Sequence, residues 1–260
     1  CTAAFPVGAT NNLNFGNPER PEIMAQIVEA IEGMAEACEF FETPITGGNV
    51  SLYNETLGDP VFPSPVMGIV GLMKTQEPAG IAFRAPGRDV YLIGGIGEAD
   101  EIRMGGTQYA KQVVRDIWGL PPALDMPFEK QVQSAVREMV VSQAVESAHD
   151  LSDGGLAWAL AESTFGKEVG ASIDLSSDLR PELLLFHEGP SRVIVSTSDA
   201  AAVERIAAAH NVPALKIGQT SDGSLTIRNR GAVLIQTQVR ELKQCWASAL
   251  ENLLHAEVHA

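Results

Sequence analysis

The sequence predicts an α/β (or α+β) protein built in two pieces that meet near residue 80. Three observations carry this prediction. Short apolar runs alternate along the chain with longer stretches whose apolar residues recur every three or four positions, the mark of strands alternating with helices. The segment TQEPAGIAFRAPG, residues 75–87, is rich in turn residues and separates two apolar strands. The 260 residues are 45% apolar and 20% charged, enough to bury a core in one large or two modest domains.

The elements follow in order. Residues 4–15 read as a strand ending in the turn NFGNPERP. From residue 21 to 41, Ile23, Ile27, Ile31, Met34, Ala35 and Cys38 keep helical spacing. Pro21 and Glu22 suit its first turn, since proline has no N–H to lose there and a carboxylate favours the positive end of the helix dipole. TPITGGNVSLY is a short strand, and after a proline-rich loop VMGIVGLMK is another. DVYLIGG opens the second piece with a buried strand. Residues 127–147 form an amphipathic helix with Val132, Val136, Met139, Val140 and Ala144 on one face. SAHDLSDGGLAWALAEST joins a turn to a helix starting near Leu156. SRVIVST is a buried strand, DAAAVERIAAAHN a helix, ALKIGQT and LTIRN strands, and residues 236–255 a last helix.

Charge narrows the function. With 33 acidic against 18 basic side chains the net charge is −15, which argues against nucleic acid as the main partner. Small phosphorylated ligands remain open, because backbone N–H groups and magnesium can hold phosphate without lysines. Cys1, Cys38 and Cys245 form no zinc pattern, and an odd count fits a reducing compartment. No signal peptide and no long apolar run is read, so the expectation is a cytoplasmic protein with no membrane partner. A chain opening at Cys1, in strand-like sequence, reads as a piece of a longer protein; the alternative, an N-terminal cysteine nucleophile, lacks a hydrolase pattern around it.

Four clusters can carry chemistry. In TPITGGNVSLYNET, Gly47 and Gly48 let the backbone approach a ligand and permit positive φ. Asn49 offers an amide oxygen to magnesium, and Ser51 shares its face in an extended strand. A bulged strand with a polar turn explains the same residues without a ligand. In HDLSDGG, Ser152 or Asp153 can cap the following helix, or the helix start can be an anion site with Asp150 or Asp153 nearby on a metal. In FHEGPSR, Glu188 and Arg192 read as a local ion pair. In RMGGTQY, paired glycines approach a ligand or simply turn. The five histidines are scattered, without helical metal-ligand spacing or a Ser-His-Asp arrangement.

Taken together, NNLNFGNPERPE, TPITGGNVSLYNET, PSPVMGIVGLM and HDLSDGGLAWALAES, in this order and spacing, resemble the C-terminal part of the synthetase subunit of phosphoribosylformylglycinamidine synthase, within the aminoimidazole ribonucleotide synthetase-like superfamily. LNFGNPE with GGNVSLYNET about thirty residues later is the specific signal, and the likeness runs over essentially all of the chain.

That resemblance implies a duplicated pair of domains. Residues 1–78 would be the second barrel-type domain, lacking its first strands, and residues 79–260 the second α/β domain. It implies a ligase of de novo purine biosynthesis that uses ATP and magnesium to turn formylglycinamide ribonucleotide and ammonia into the amidine, with ADP and phosphate. A glutaminase subunit or domain would supply the ammonia from glutamine. Matched by motif, Asn11 and Gly48 would bind ATP, Asn49 magnesium and Ser51 the substrate. The family's aspartate in TD-x-LNFGNP falls on Asn11, a departure that removes a charge. The family's catalytic histidine belongs to the N-terminal half, so no catalytic residue is expected here and the fragment alone is expected to be inactive. Two other readings stay open: a related small-molecule kinase or selenophosphate-type synthetase, and a half that only docks onto other domains.

Overall fold

A computed structural model describes residues 1–73, 78–97 and 99–258. The chain divides into two compact units, Ala4–Lys74 on one side and Cys1–Ala3 with Thr75–Ala260 on the other. Residues 75–77 of the segment read as the boundary lie outside the described residues.

In the smaller unit, β1 (Phe5–Asn14) is the centre of a three-stranded sheet, parallel to β2 (Ile45–Ser51) and antiparallel to β5 (Ser64–Leu72). Parallel neighbours need a crossover, and α1 (Pro21–Phe40) provides it. Pro21 opens α1 and Glu22 lies in its first turn, as the sequence predicts. Leu13, Phe15 and Ile23 are the buried centre of this unit, with Ile27, Ala30, Met34 and Leu52 partly buried against them. The pair β3 (Glu55–Thr56) and β4 (Asp59–Pro60), absent from the sequence reading, is a small hairpin. Its two central residues, Leu57 and Gly58, both have positive φ, the geometry that matches strand twist.

The larger unit holds a seven-stranded sheet. Its strands are β6 (Asp89–Ile93), β7 (Ser147–Asp150), β8 (Val169–Leu175), β9 (Val193–Thr197), β10 (Ala214–Asp222), β11 (Ser224–Asn229) and β12 (Ala232–Gln238), in the order β12-β11-β8-β10-β6-β9-β7. All neighbours are antiparallel except β8 and β11. Five helices accompany it: α2 (Met126–Val141), α3 (Gly155–Phe165), α4 (Pro181–Phe186), α5 (Ala200–Ala209) and α6 (Val239–Val258), with a π-helical turn at Ala110–Val114.

Strand alternation makes the sheet the middle layer. Val90, Leu92 and Ile194 join a core with α3 and α4, while Tyr91, Ile93, Val193 and Val195 join another with α2 and α5. The Tyr91 hydroxyl, carried into that second core, donates to Glu204 Oε1 at 2.7 Å, and burial together with this carboxylate raises its pKa.

Three sequence expectations change. The helix of residues 127–147 ends at Val141, because Gln143 takes a positive φ. Ala144 and Val145 stay buried beyond the turn, so the apolar spacing outruns the helix. Ser147–Asp150 is a strand rather than part of a turn, paired with β9. β8, α4 and β12 are additional elements, each short or interrupted by polar residues. Among the described residues no helix is long and apolar enough to cross a membrane.

Candidate functional site

The register of β1 and β2 places the predicted residues side by side: Asn11 opposite Gly48, Asn12 opposite Asn49, and Asn14 opposite Ser51. Directly paired residues share a face of the sheet, and successive residues alternate. Leu13 belongs to the core with α1, so Asn11 and Gly48 lie on the helix side. Asn12, Asn14, Asn49 and Ser51 occupy the opposite face. The expectation that Ser51 shares Asn49's face therefore holds, and Asn11 and Gly48 are divided from them by the sheet.

Gly48 is glycine because of its neighbour. A Cβ there would stand 1.8 Å from Asn11 Oδ1 and 2.8 Å from the Asn11 carbonyl oxygen. The Asn11 amide lies across the bare Gly48 backbone. Neither Gly47 nor Gly48 takes a positive φ, so the conformational freedom anticipated for the pair is not what they supply. Gly47 faces open space.

On the other face, Asn49 Nδ2 donates to Asn12 Oδ1 at 3.1 Å. This bond uses one of the amide's two N–H donors, and Asn49 Oδ1 makes no hydrogen bond among the described residues. Ser51 Oγ donates to Asn54 Oδ1 at 3.1 Å, and Asn54 Nδ2 donates to the carbonyls of Phe15 and Ser51, both at 3.0 Å. Asn54 thus ties the Ser51 hydroxyl into the turn, with lone pairs remaining on its oxygen. Asn12 is the residue the sequence reading missed. Its signal is the alternation in NNLN, where polar Asn12 and Asn14 flank buried Leu13.

The ladder is exposed and neutral. Among the described residues no group of three or more His, Cys, Asp or Glu could hold a metal. One free amide oxygen fits a single protein ligand on a magnesium ion otherwise dressed by phosphate and water, since that ion keeps most of its waters.

The other three motifs converge elsewhere. Glu188 Oε1 accepts the backbone N–H of Gln108 at 2.8 Å and of Gly154 at 2.7 Å, joining FHEGPSR to RMGGTQY and HDLSDGG. Gly154 and Gly155 have φ of 75° and 62°, and a Cβ on Gly155 would lie 2.5 Å from the His187 carbonyl oxygen. The expected cap by Ser152 or Asp153 is not made: the N-cap of α3 is Gly154, with no side-chain cap. Glu188, distant in sequence, instead accepts the N–H of Gly154, the N-cap residue itself.

Nor do Glu188 and Arg192 pair. Arg192 is buried and donates to the carbonyls of Gly189, Ile96 and His187, with His187 Nε2 2.8 Å from its Nη1. Burial, then the Arg192 cation, pushes the His187 pKa down to about 4, so its ring is neutral, with Nε2 3.0 Å from the Ile96 carbonyl oxygen, which can only accept. His149, at the end of β7, has the opposite setting. Burial works against its charge, but Asp150 and Glu162 prevail and raise its pKa. Its Nε2 is 2.9 Å from Glu162 Oε2; its Nδ1 is 3.8 Å from Asp150 Oδ1, too far for a hydrogen bond.

Comparison with known proteins follows the same division of the chain. Residues 1–73 match the family described as AIR synthase related protein, N-terminal domain, and residues 85–228 match AIR synthase related protein, C-terminal domain. The chain belongs to the AIR synthase related family. Within that family, the phosphoribosylformylglycinamidine synthase subunit PurL of Moorella thermoacetica is 40% identical over 257 residues, covering 98% of this chain and 34% of the relative. PurL of Lactobacillus delbrueckii subsp. bulgaricus is 41% identical over 261 residues, again covering 98% and 34%. The resemblance read from the motifs is thereby borne out, and this AIR synthase related chain spans about a third of the length of those relatives. Thermotoga maritima PurL complexed with FGAR superposes with a TM-score of 0.74 at 22% identity, covering 93% of this chain and 40% of that one; its complex with ATP gives 0.69, covering 93% and 38%. At that identity the likeness establishes the fold, a mixed α/β architecture of the AIR synthase related type.

Proposed function

We propose that this chain is the nucleotide-facing C-terminal part of a phosphoribosylformylglycinamidine synthase: an ATP-dependent carbon–nitrogen ligase of purine biosynthesis, acting in the cytoplasm. The observation that carries the reading is the paired ladder Asn11–Gly48, Asn12–Asn49 and Asn14–Ser51. Residues 1–78 are the second barrel-type domain and residues 79–260 the second α/β domain of a duplicated pair. The first pair, with the catalytic histidine, lies outside this chain, and a glutaminase partner supplies ammonia from glutamine.

The roles divide as follows. β2 is an edge strand, so a nucleotide lying along that edge reaches the Gly48 backbone from one face and Asn49 from the other. Asn11, lying over Gly48, hydrogen-bonds the nucleotide without adding charge. Asn12 holds the Asn49 amide so that Oδ1 is presented to magnesium. Ser51, fixed by Asn54, accepts from the ribonucleotide substrate through its oxygen. Magnesium, when bound, neutralises charge on the phosphates during phosphoryl transfer to the substrate's amide oxygen. Neutral amides suit this task, because carboxylates on the same face would repel the phosphates.

Calorimetry tests the reading directly. ATP with magnesium is titrated into the wild-type chain, Asn49→Ala and Ser51→Ala. Loss of nucleotide binding in Asn49→Ala, with unchanged circular dichroism, places the site on the ladder. The complete enzyme carrying Asn49→Ala is assayed in parallel; turnover at the wild-type rate over a range of magnesium concentrations would overturn the proposal.

A further inference from the structure

The larger unit contains a cavity of about 350 Å³, within the range used for small molecules. Its walls are the loop after β6 at Gly94 and Gly97, the turn carrying Asp100 and Arg103, and the turn from His187 to Arg192.

Its charges are unevenly satisfied. Arg192 is 2% exposed, and among the described residues its guanidinium donates to three neutral carbonyls, with the uncharged His187 ring nitrogen Nε2 2.8 Å from Nη1. A buried cation without a counter-charge is costly. Across the cavity, Arg103 reaches Asp100 through one terminal nitrogen, but its Nε–H is buried with no acceptor among the described residues. The carboxylates in the wall are engaged by the protein. Asp100 is held by Arg103, Asp125 caps α2 by accepting the Phe128 N–H, and Glu188 Oε1 accepts two backbone N–H groups. Glu188 Oε2 makes no hydrogen bond among the described residues. A Cβ at Gly97, where φ is 77°, would stand 3.2 Å from Arg192 Cδ and narrow the approach to the guanidinium.

We propose that this cavity binds a small hydroxyl-bearing phosphate monoester, its phosphate on Arg103 and Arg192 and a hydroxyl on Glu188 Oε2. Planar guanidinium groups match the spacing of phosphate oxygens, and a carboxylate oxygen accepts from a hydroxyl but repels a second anion. The size of the cavity and the free Glu188 Oε2 fit one phosphate with a short polyol. The site is independent of the ladder: it lies wholly in the larger unit and keeps its affinity in Asn49→Ala.

The probes are glycerol 3-phosphate and inorganic phosphate, each titrated calorimetrically into the whole chain. Two variants avoid the buried Arg192: Arg103→Gln, and Ala123→Glu, which sets a negative charge at the exposed rim. The expected result is saturable binding of glycerol 3-phosphate, weakened at least tenfold by each variant while the melting temperature holds. Inorganic phosphate binds at least threefold more weakly than the ester. A folded wild-type chain that binds neither probe, or variants that bind like wild type, would sink the proposal and leave Arg192 as a latch between two turns. Equal affinity for ester and phosphate overturns the Glu188 contact.

Discussion

The two units bury their sheets to different extents. In the larger, β6 and β9 are covered on both faces, and Val90, Leu92, Ile93 and Val195 are all fully buried. In the smaller, α1 covers one face, while Val66, Ile69, Val70 and Leu72 of β5 are 56–64% exposed. α1 itself leaves Met24, Val28 and Ile31 exposed. Polar groups follow the same contrast. In the larger unit Glu188 Oε1 accepts backbone N–H groups of its own chain, whereas in the smaller unit the oxygen of Asn49 makes no hydrogen bond among the described residues.

The largest effect tests the packing half of that contrast. Leu160 on α3 is fully buried, so Leu160→Ala removes contacts and leaves a void costing about 2–5 kcal/mol in urea denaturation. Val70→Ala should change stability by less than about 0.5 kcal/mol, because its side chain already meets solvent. Comparable losses in the two variants would show that the exposed face is covered in solution and would erase the distinction.

Proton linkage comes next in size, and histidine is confined to the larger unit: residues 4–74 contain none. His187 has an ordinary pKa near 6.5 when unfolded and about 4 when folded. As pH falls from 6.5 towards 4, the unfolded chain takes up a proton that the folded chain refuses. Stability therefore declines over that window, by roughly 3 kcal/mol at most. His149 has the opposite sign: its raised pKa adds stability that is complete below pH 6.5 and lost as pH rises through the folded value. Urea midpoints at pH 7, 5.5 and 4.5 for wild type and His187→Gln separate the terms. The variant should lose its midpoint less steeply on acidification, and parallel slopes would show that His187 titrates normally.

What the sequence revealed depended on the range of the interaction. The strands of residues 4–15 and 89–93 and the helix from Pro21 were legible because alternation and helical spacing are local properties. The ladder was half legible. Gly48, Asn49 and Ser51 stood in one motif, but Asn12 joins Asn49 only through pairing of two parallel strands 37 residues apart. The capping of α3 was misread for a similar reason. Ser152 and Asp153 are near by sequence, while the acceptor used is Glu188, 34 residues from Gly154. Arg192 looked like Glu188's partner at a spacing of four, yet tertiary burial turned it towards carbonyls instead.

The smallest effect divides the glycine pair itself. In the ladder strand, Gly47 has open space where a Cβ would go and no positive φ, so Gly47→Ala should be neutral or stabilise by about 0.5 kcal/mol through the unfolded chain. Gly48→Ala forces the Asn11 amide aside and crowds the Asn11 carbonyl, and should cost about 1–2 kcal/mol. Because the nearest clash is with a movable side chain, Asn11→Ala should recover part of that loss, with the 2.8 Å carbonyl contact retaining the rest. A double-mutant cycle measures the coupling. If Gly48→Ala proves as harmless as Gly47→Ala, Asn11 does not lie across the strand in solution. The ladder would then be open on its helix side as it is on the other, and Gly48 would be glycine for the ligand's sake alone.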